Sequence, residues 1–129
     1  MSNELKKILI VEDEQSLLDS YAELVQTAGF EVDLAKDGYQ ALDKLANQLG
    51  QVDLVLLDLM MPGVDGLEVL GAVKSNPEKY GNMPIIVLTN MTSDSVIKEA
   101  FDSGASSYLV KTDIDYEGLM KELNKYLGE

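Results

Sequence analysis

Five times along the chain, a short apolar run gives way to a polar or glycine break and then to apolar residues at helical spacing. No other feature constrains the fold as much. The runs are Ile8 to Val11, Phe30 to Leu34, Val52 to Leu57, Pro84 to Leu88 and Ser107 to Val110. They are strand-length, and several are continuous rather than alternating, as in strands buried on both faces. Between them, Leu17, Leu18, Tyr21, Leu24, Val25 and Ala28 give a first helix that Gly29 stops. Ala41 to Leu49 gives a second helix, closed by Gly50 and preceded by an Asp37-Gly38 turn. Leu67 to Val73 gives a third, ended by Asn76-Pro77, after which Glu78 to Asn82 reads as a loop. Ser93 or Asp94 can cap a fourth helix with Val96, Ile97, Ala100 and Phe101 facing inward, before Gly104. Asp115 can cap a fifth, with Leu119, Met120, Leu123, Tyr126 and Leu127 inward and Gly118 weakening its first turn. Strict β-α alternation implies right-handed crossovers, a doubly wound parallel α/β sheet and ligands at the carboxyl ends of the strands.

At 129 residues the chain reads as one domain, residues 1–129. It has no cysteine and no histidine, which removes thiolate metal sites, cysteine nucleophiles and any Ser-His-Asp arrangement. The net charge is −13 and every basic residue is a lysine, so no positive patch offers itself to DNA or RNA and direct nucleic-acid binding is not expected. The N-terminus lacks a signal peptide's apolar core, and no run approaches the roughly 20 residues of a membrane helix. A cytoplasmic protein without a membrane association is expected.

The residues that end the strands carry the chemistry. The third run ends on Asp58 and breaks into a turn of Met60, Met61, Pro62, Gly63, Asp65 and Gly66. The first ends on Glu12 and Asp13, the fourth on Thr89 and the fifth on Lys111. Carboxylates gathered in one pocket repel unless a cation joins them, and oxygen-only ligation favours Mg²⁺, with Mn²⁺ as the alternative. Singly, each residue has a plainer reading: acids at a helix N-terminus, a cap, a surface lysine. Jointly, four of five strands deliver complementary groups to one edge. Asp58 then reads as a carboxylate that attacks phosphorus, with Lys111 and Thr89 meeting phosphoryl oxygens.

The stretches ILIVEDE at 8–14, AGFEVDLAKDG at 28–38, DLVLLDLMMPGVDG at 53–66, PIIVLT at 84–89 and GASSYLVK at 104–111 resemble, in order and register, a two-component response-regulator receiver domain of the chemotaxis-regulator-like, stand-alone kind. The resemblance implies a flavodoxin-like (βα)5 fold with strand order 2-1-3-4-5. It implies Asp58 as phosphoacceptor, and Glu12, Asp13, Asp58 and the Met60 backbone carbonyl as Mg²⁺ ligands. Thr89 would be the switch hydroxyl, Lys111 the phosphate-pairing lysine and Tyr108 the aromatic that moves with Thr89. The phosphoryl donor would be a histidine kinase or histidine phosphotransfer protein. The signalling face would be the fourth helix, fifth strand and fifth helix, reaching a downstream protein target. Such a domain is a monomer or a phosphorylation-dependent dimer, and it is not a turnover enzyme: it catalyses its own phosphorylation and dephosphorylation. It is either a stand-alone regulator or part of a longer chain.

The family pattern is departed from in three places. Glu12 stands where aspartate is common. Thr112 follows Lys111 where proline is common, so a cis bond there would cost about 3–4 kcal/mol. Met60 and Met91, two past Asp58 and Thr89, cannot orient water by hydrogen bonding, which implies a long-lived acyl phosphate. The competing readings are a pseudo-receiver that binds protein without phosphorylation, an FMN protein of similar strand order, and an aspartyl-phosphatase-type hydrolase. The acidic loop after strand one argues against FMN, and methionine at position 60 argues against the hydrolase.

Overall fold

A computed structural model describes residues 5–61, 65–90 and 94–128. Five parallel strands, β1 (Lys7–Val11), β2 (Glu31–Ala35), β3 (Leu54–Asp58), β4 (Ile85–Thr89) and β5 (Ser107–Val110), pair in the order β2-β1-β3-β4-β5. The expected doubly wound sheet with order 2-1-3-4-5 is thus the observed one. Its helices are α1 (Gln15–Thr27), α2 (Gly38–Asn47), α3 (Gly66–Ser75), α4 (Pro77–Tyr80), α5 (Asp94–Asp102) and α6 (Tyr116–Leu127).

Side chains alternate across each strand, so neighbouring residues enter opposite layers. Leu9, Val11, Val55, Leu57, Ile85 and Val87 pack with Leu45, Val69, Val73 and Ala100, beneath α2, α3 and α5. Ile8, Ile10, Leu54, Leu56, Ile86 and Leu88 pack with Leu18, Tyr21, Val25, Leu119 and Leu123, beneath α1 and α6. β1, β3 and β4 lie inside the sheet and are buried almost throughout, which accounts for their unbroken apolar runs.

Several boundaries differ from the sequence reading, mostly because residues read as turn are helix starts. Asp37 is the N-cap of α2, accepting from the Gln40 amide at 2.8 Å, and Gly38 is already helical. Asp65 likewise caps α3 through a reciprocal capping box with Glu68. The loop expected over Glu78 to Asn82 begins instead as the one-turn α4: Pro77 presets its first φ, and the Lys79 and Tyr80 amides close back on the Asn76 carbonyl. The described residues therefore form six helices rather than five, and the expected fourth and fifth are α5 and α6. Ser93, one of two candidate caps of α5, lies outside the described residues, and Asp94 sits in the first helical turn. Phe101, expected inward, is 43% exposed and packs edge-on against Tyr108 with ring centroids 6.1 Å apart. A single sheet edge cannot cover both sides of so short a helix, and Ala100 takes its buried position.

Gly66 is the tightest junction. A Cβ there would stand 2.5 Å from the Asp58 carbonyl oxygen and 2.6 Å from Leu59 Cα. Only glycine lets α3 start flush against the end of β3, where the Gly66 amide donates to the Leu59 carbonyl at 3.1 Å. Gly71, later in the same helix, has open space where a Cβ would point, with nothing within 4 Å. Gly66→Ala is therefore expected to destabilise the domain by about 2 kcal/mol through backbone overpacking. Gly71→Ala should stabilise it by about 0.5–1 kcal/mol through helix propensity. Urea denaturation of the two variants checks the pair, and equal effects would contradict the close approach.

Candidate functional site

Register decides which strand ends meet. Val11 pairs with Leu57, so Glu12 and Asp58 are lateral neighbours one residue further on. Asp58 pairs with Leu88, and Thr89 with Val110, so the next strands bring Thr89 and Lys111 to the same edge. Alternation continues the parity of Ile10 and Leu56 into Glu12 and Asp58, on the side of α1 and α6. Among the described residues, the buried polar or charged side chains apart from tyrosine are Glu12 at 1%, Asp58 at 1% and Thr89 at 0% exposure. All three end strands at this one edge.

Lys111 ties the acids together. Its Nζ lies 2.8 Å from Glu12 Oε1 and 3.1 Å from Asp58 Oδ1. The Met60 amide also donates to Asp58 Oδ1, at 3.1 Å, while Asp58 Oδ2 is buried without a hydrogen-bond partner. Glu12 uses its extra methylene to fold back, so that Oε2 accepts from the Glu14 amide at 3.1 Å at the start of α1. One oxygen from each of Glu12, Asp13 and Asp58 lies within 4.8 Å of the others, with Asp13 exposed and the other two buried. An oxygen-only trio with an orphaned buried oxygen fits a hard divalent cation. Met60 itself is 61% exposed. Met91, Pro62 and Gly63 lie outside the described residues.

The peptide bonds of the described residues are all trans, including that between Lys111 and Thr112, and the chain beyond β5 coils into a 3-10 turn, Lys111–Asp113. Tyr108, whose place in β5 suggests a half-buried aromatic, is exposed at 37%. Tyr21 keeps the helical spacing of the apolar residues of α1, and the sequence does not single it out. It is 5% exposed, and its hydroxyl has no partner. A phenol among leucine, alanine and valine, nearly two turns into the helix that leaves the site, was the available signal.

Electrostatics follow from this packing. Burial pushes the Asp58 carboxyl up to about 7; the Met60 amide and Lys111 oppose the rise, and Glu12 adds to it. Burial works to lower Lys111, but Glu12 and Asp58 outweigh it and hold the ammonium above the ordinary lysine value. Burial also raises the Tyr21 phenol, against Lys111 and together with Glu12, Asp58 and Glu14.

A raised carboxyl binds its proton more tightly in the folded than in the unfolded chain. Below the unfolded value of 3.8 both states are protonated. As pH climbs from there to about 7, only the unfolded chain releases its proton and stability falls. In chelator-treated protein, Asp58→Asn should therefore gain stability relative to wild type across that window and hold the gain above it. Urea midpoints of both proteins from pH 4 to pH 8 check this, and a difference independent of pH would contradict it.

The receiver-family model, described as the response regulator receiver domain, matches residues 8–124. The response regulator MprA of Mycobacterium sp. (strain KMS) is 40% identical over 105 residues, 81% of this chain and 44% of that protein. The chain thus spans less than half the length of that relative. Among solved structures, the chemotaxis protein CheY4 of Vibrio cholerae superposes with a TM-score of 0.84 at 34% identity, over 95% of this chain and 98% of that one. A CheX-CheY-BeF3-Mg complex from Borrelia burgdorferi contains a chain that superposes at 0.85 with 25% identity, over 93% and 87%. With a family match over nearly its whole length and a site assembled from the ends of its central strands, the chain belongs to the response regulator receiver domain family of two-component signalling.

Proposed function

We propose that this domain accepts a phosphoryl group onto Asp58 from a phosphohistidine of a histidine kinase or histidine phosphotransfer protein. The observation that carries the reading is the Asp58 carboxylate itself: buried, held through Oδ1 by Lys111 and the Met60 amide, and left with Oδ2 unpartnered at the sheet edge. Asp58 attacks phosphorus, the phosphorus–nitrogen bond breaks with its electron pair leaving on the imidazole, and an acyl phosphate forms. Mg²⁺, which Glu12, Asp13, Asp58 and the Met60 carbonyl would hold, supplies neutralisation of the phosphoryl charge. Lys111 moves its ammonium from the carboxylates to a phosphoryl oxygen, and the Thr89 hydroxyl donates to another. The relative from Borrelia burgdorferi, crystallised with beryllium fluoride and Mg²⁺, supports the assignment, since beryllium fluoride is a tetrahedral stand-in for a phosphoryl group.

The switch would run from Thr89 to Tyr108, whose ring rests against Phe101 on α5. Drawing Thr89 toward the phosphoryl group makes room for Tyr108 to turn inward and changes the face of α5, β5 and α6 that a downstream protein reads. Hydrolysis by water at phosphorus, releasing phosphate from Asp58, resets it, so the domain is a self-resetting acceptor rather than a turnover enzyme. The reading includes a cytoplasmic location for the domain. No helix among the described residues is long and apolar enough to cross a membrane.

Incubation with phosphoramidate and Mg²⁺, followed by intact-mass measurement, tests the reading. Wild type should gain one phosphoryl group, Asp58→Asn none, and Lys111→Met should gain it about 100-fold more slowly. No gain in wild type is the result a pseudo-receiver gives and would overturn the proposal.

A further inference from the structure

Tyr21 is a buried polar group to which phosphoryl acceptance gives no task. Its packing neighbours on α1, Leu18, Ala22 and Val25, are apolar, and phenylalanine would fill the same space without burying an unpaired hydroxyl. Three features aim that hydroxyl at the site. α1 leaves from the carboxyl edge of the sheet, and helical side chains lean toward the helix N-terminus, so the ring rises toward that edge. Tyr21 belongs to the layer of Ile10, Leu56 and Leu88, the parity that Glu12 and Asp58 continue. The charges that bear on the phenol are those of the site, Lys111 foremost.

Lys111 has a donor to spare. An ammonium carries three N–H groups, and two carboxylate oxygens lie within ion-pair distance of it, Glu12 Oε1 at 2.8 Å and Asp58 Oδ1 at 3.1 Å. The residue after Lys111 is Thr112, in a 3-10 turn, with no proline ring to stiffen the loop that aims the lysine. We propose that Tyr21 is a positioning residue for Lys111: its hydroxyl accepts the third Nζ proton through one bridging water, and so holds the ammonium where it can meet a phosphoryl oxygen. The proposal deepens the phosphoryl-acceptor reading and rests on it for one of two readouts.

Tyr21→Phe removes only the oxygen, and its unfolding midpoint, which should not fall, reports that packing survives. The first readout needs no phosphoryl donor. In ¹⁵N-labelled protein, exchange of the Lys111 ammonium protons with water should be about tenfold faster in Tyr21→Phe than in wild type. The second is the rate of Asp58 phosphorylation by phosphoramidate, which should fall about tenfold in Tyr21→Phe and not fall further when Tyr21→Phe is added to Lys111→Met. Unchanged ammonium exchange overturns the proposal, as does an unchanged rate or a rate loss that persists in the Lys111→Met background. Wild type that takes up no phosphoryl group overturns the acceptor reading instead, and the ammonium comparison alone then decides the role of Tyr21.

Discussion

A single ammonium held between two buried carboxylates sets the terms for everything around it. Glu12 and Asp58 are each 1% exposed, and Lys111 reaches both. Removing such charges from water costs several kcal/mol per ion, recovered only when geometry and hydrogen bonding are good. Here the recovery is incomplete. Two acids face one lysine, a third acid, Asp13, stands within ligand distance, and one Asp58 oxygen has no partner. Burial raises Asp58 to about 7, with Glu12 adding to the rise and the Met60 amide and Lys111 offsetting only part of it. A site left short of a cation is suited to recruiting one together with an anionic phosphoryl group.

The sheet makes this arrangement from very little sequence. Parallel register sets Glu12 beside Asp58, and period-two alternation turns both toward the layer of α1 and α6. Buried strands hold them there: each fully buried leucine or isoleucine contributes about 2 kcal/mol, and β3 and β4 are buried along their whole length. Gly66 then lets α3 start against the Asp58 carbonyl, so that the turn carrying Met60 can send its amide back to the carboxylate. The aspartate is aimed by backbone on one side and by Lys111 on the other.

The parallel sheet and the residues at its carboxyl edge were legible in the sequence because they depend on periodicity and on strand ends, both of which are local; the strand order came only with the family resemblance, since pairing between strands is not local. What misled was equally local. Asp37-Gly38 and Asp65-Gly66 carry turn composition, yet the same short acidic side chains that favour turns also cap helices, and the following Gln40 and Glu68 decided for the helix. Asn76-Pro77 ended one helix and also began another, since proline suits the first helical position. Phe101 kept helical spacing but faces Tyr108 at the surface, because which part of an amphipathic face is covered depends on the width of the sheet beneath it. Tyr21 shares the helical spacing of Leu18 and Val25, and its burial with an unpartnered hydroxyl is what sets it apart from the core.

Thermal unfolding at pH 8 across a Mg²⁺ series tests most directly whether the carboxylates at this edge form a cation site. Binding to the folded state alone raises the midpoint by mass action once Mg²⁺ exceeds its dissociation constant. The expected result is a midpoint that climbs with Mg²⁺ in wild type and stays flat when Asp13→Asn and Asp58→Asn are combined. A wild-type midpoint indifferent to Mg²⁺, or one that climbs equally in the double variant, would contradict it.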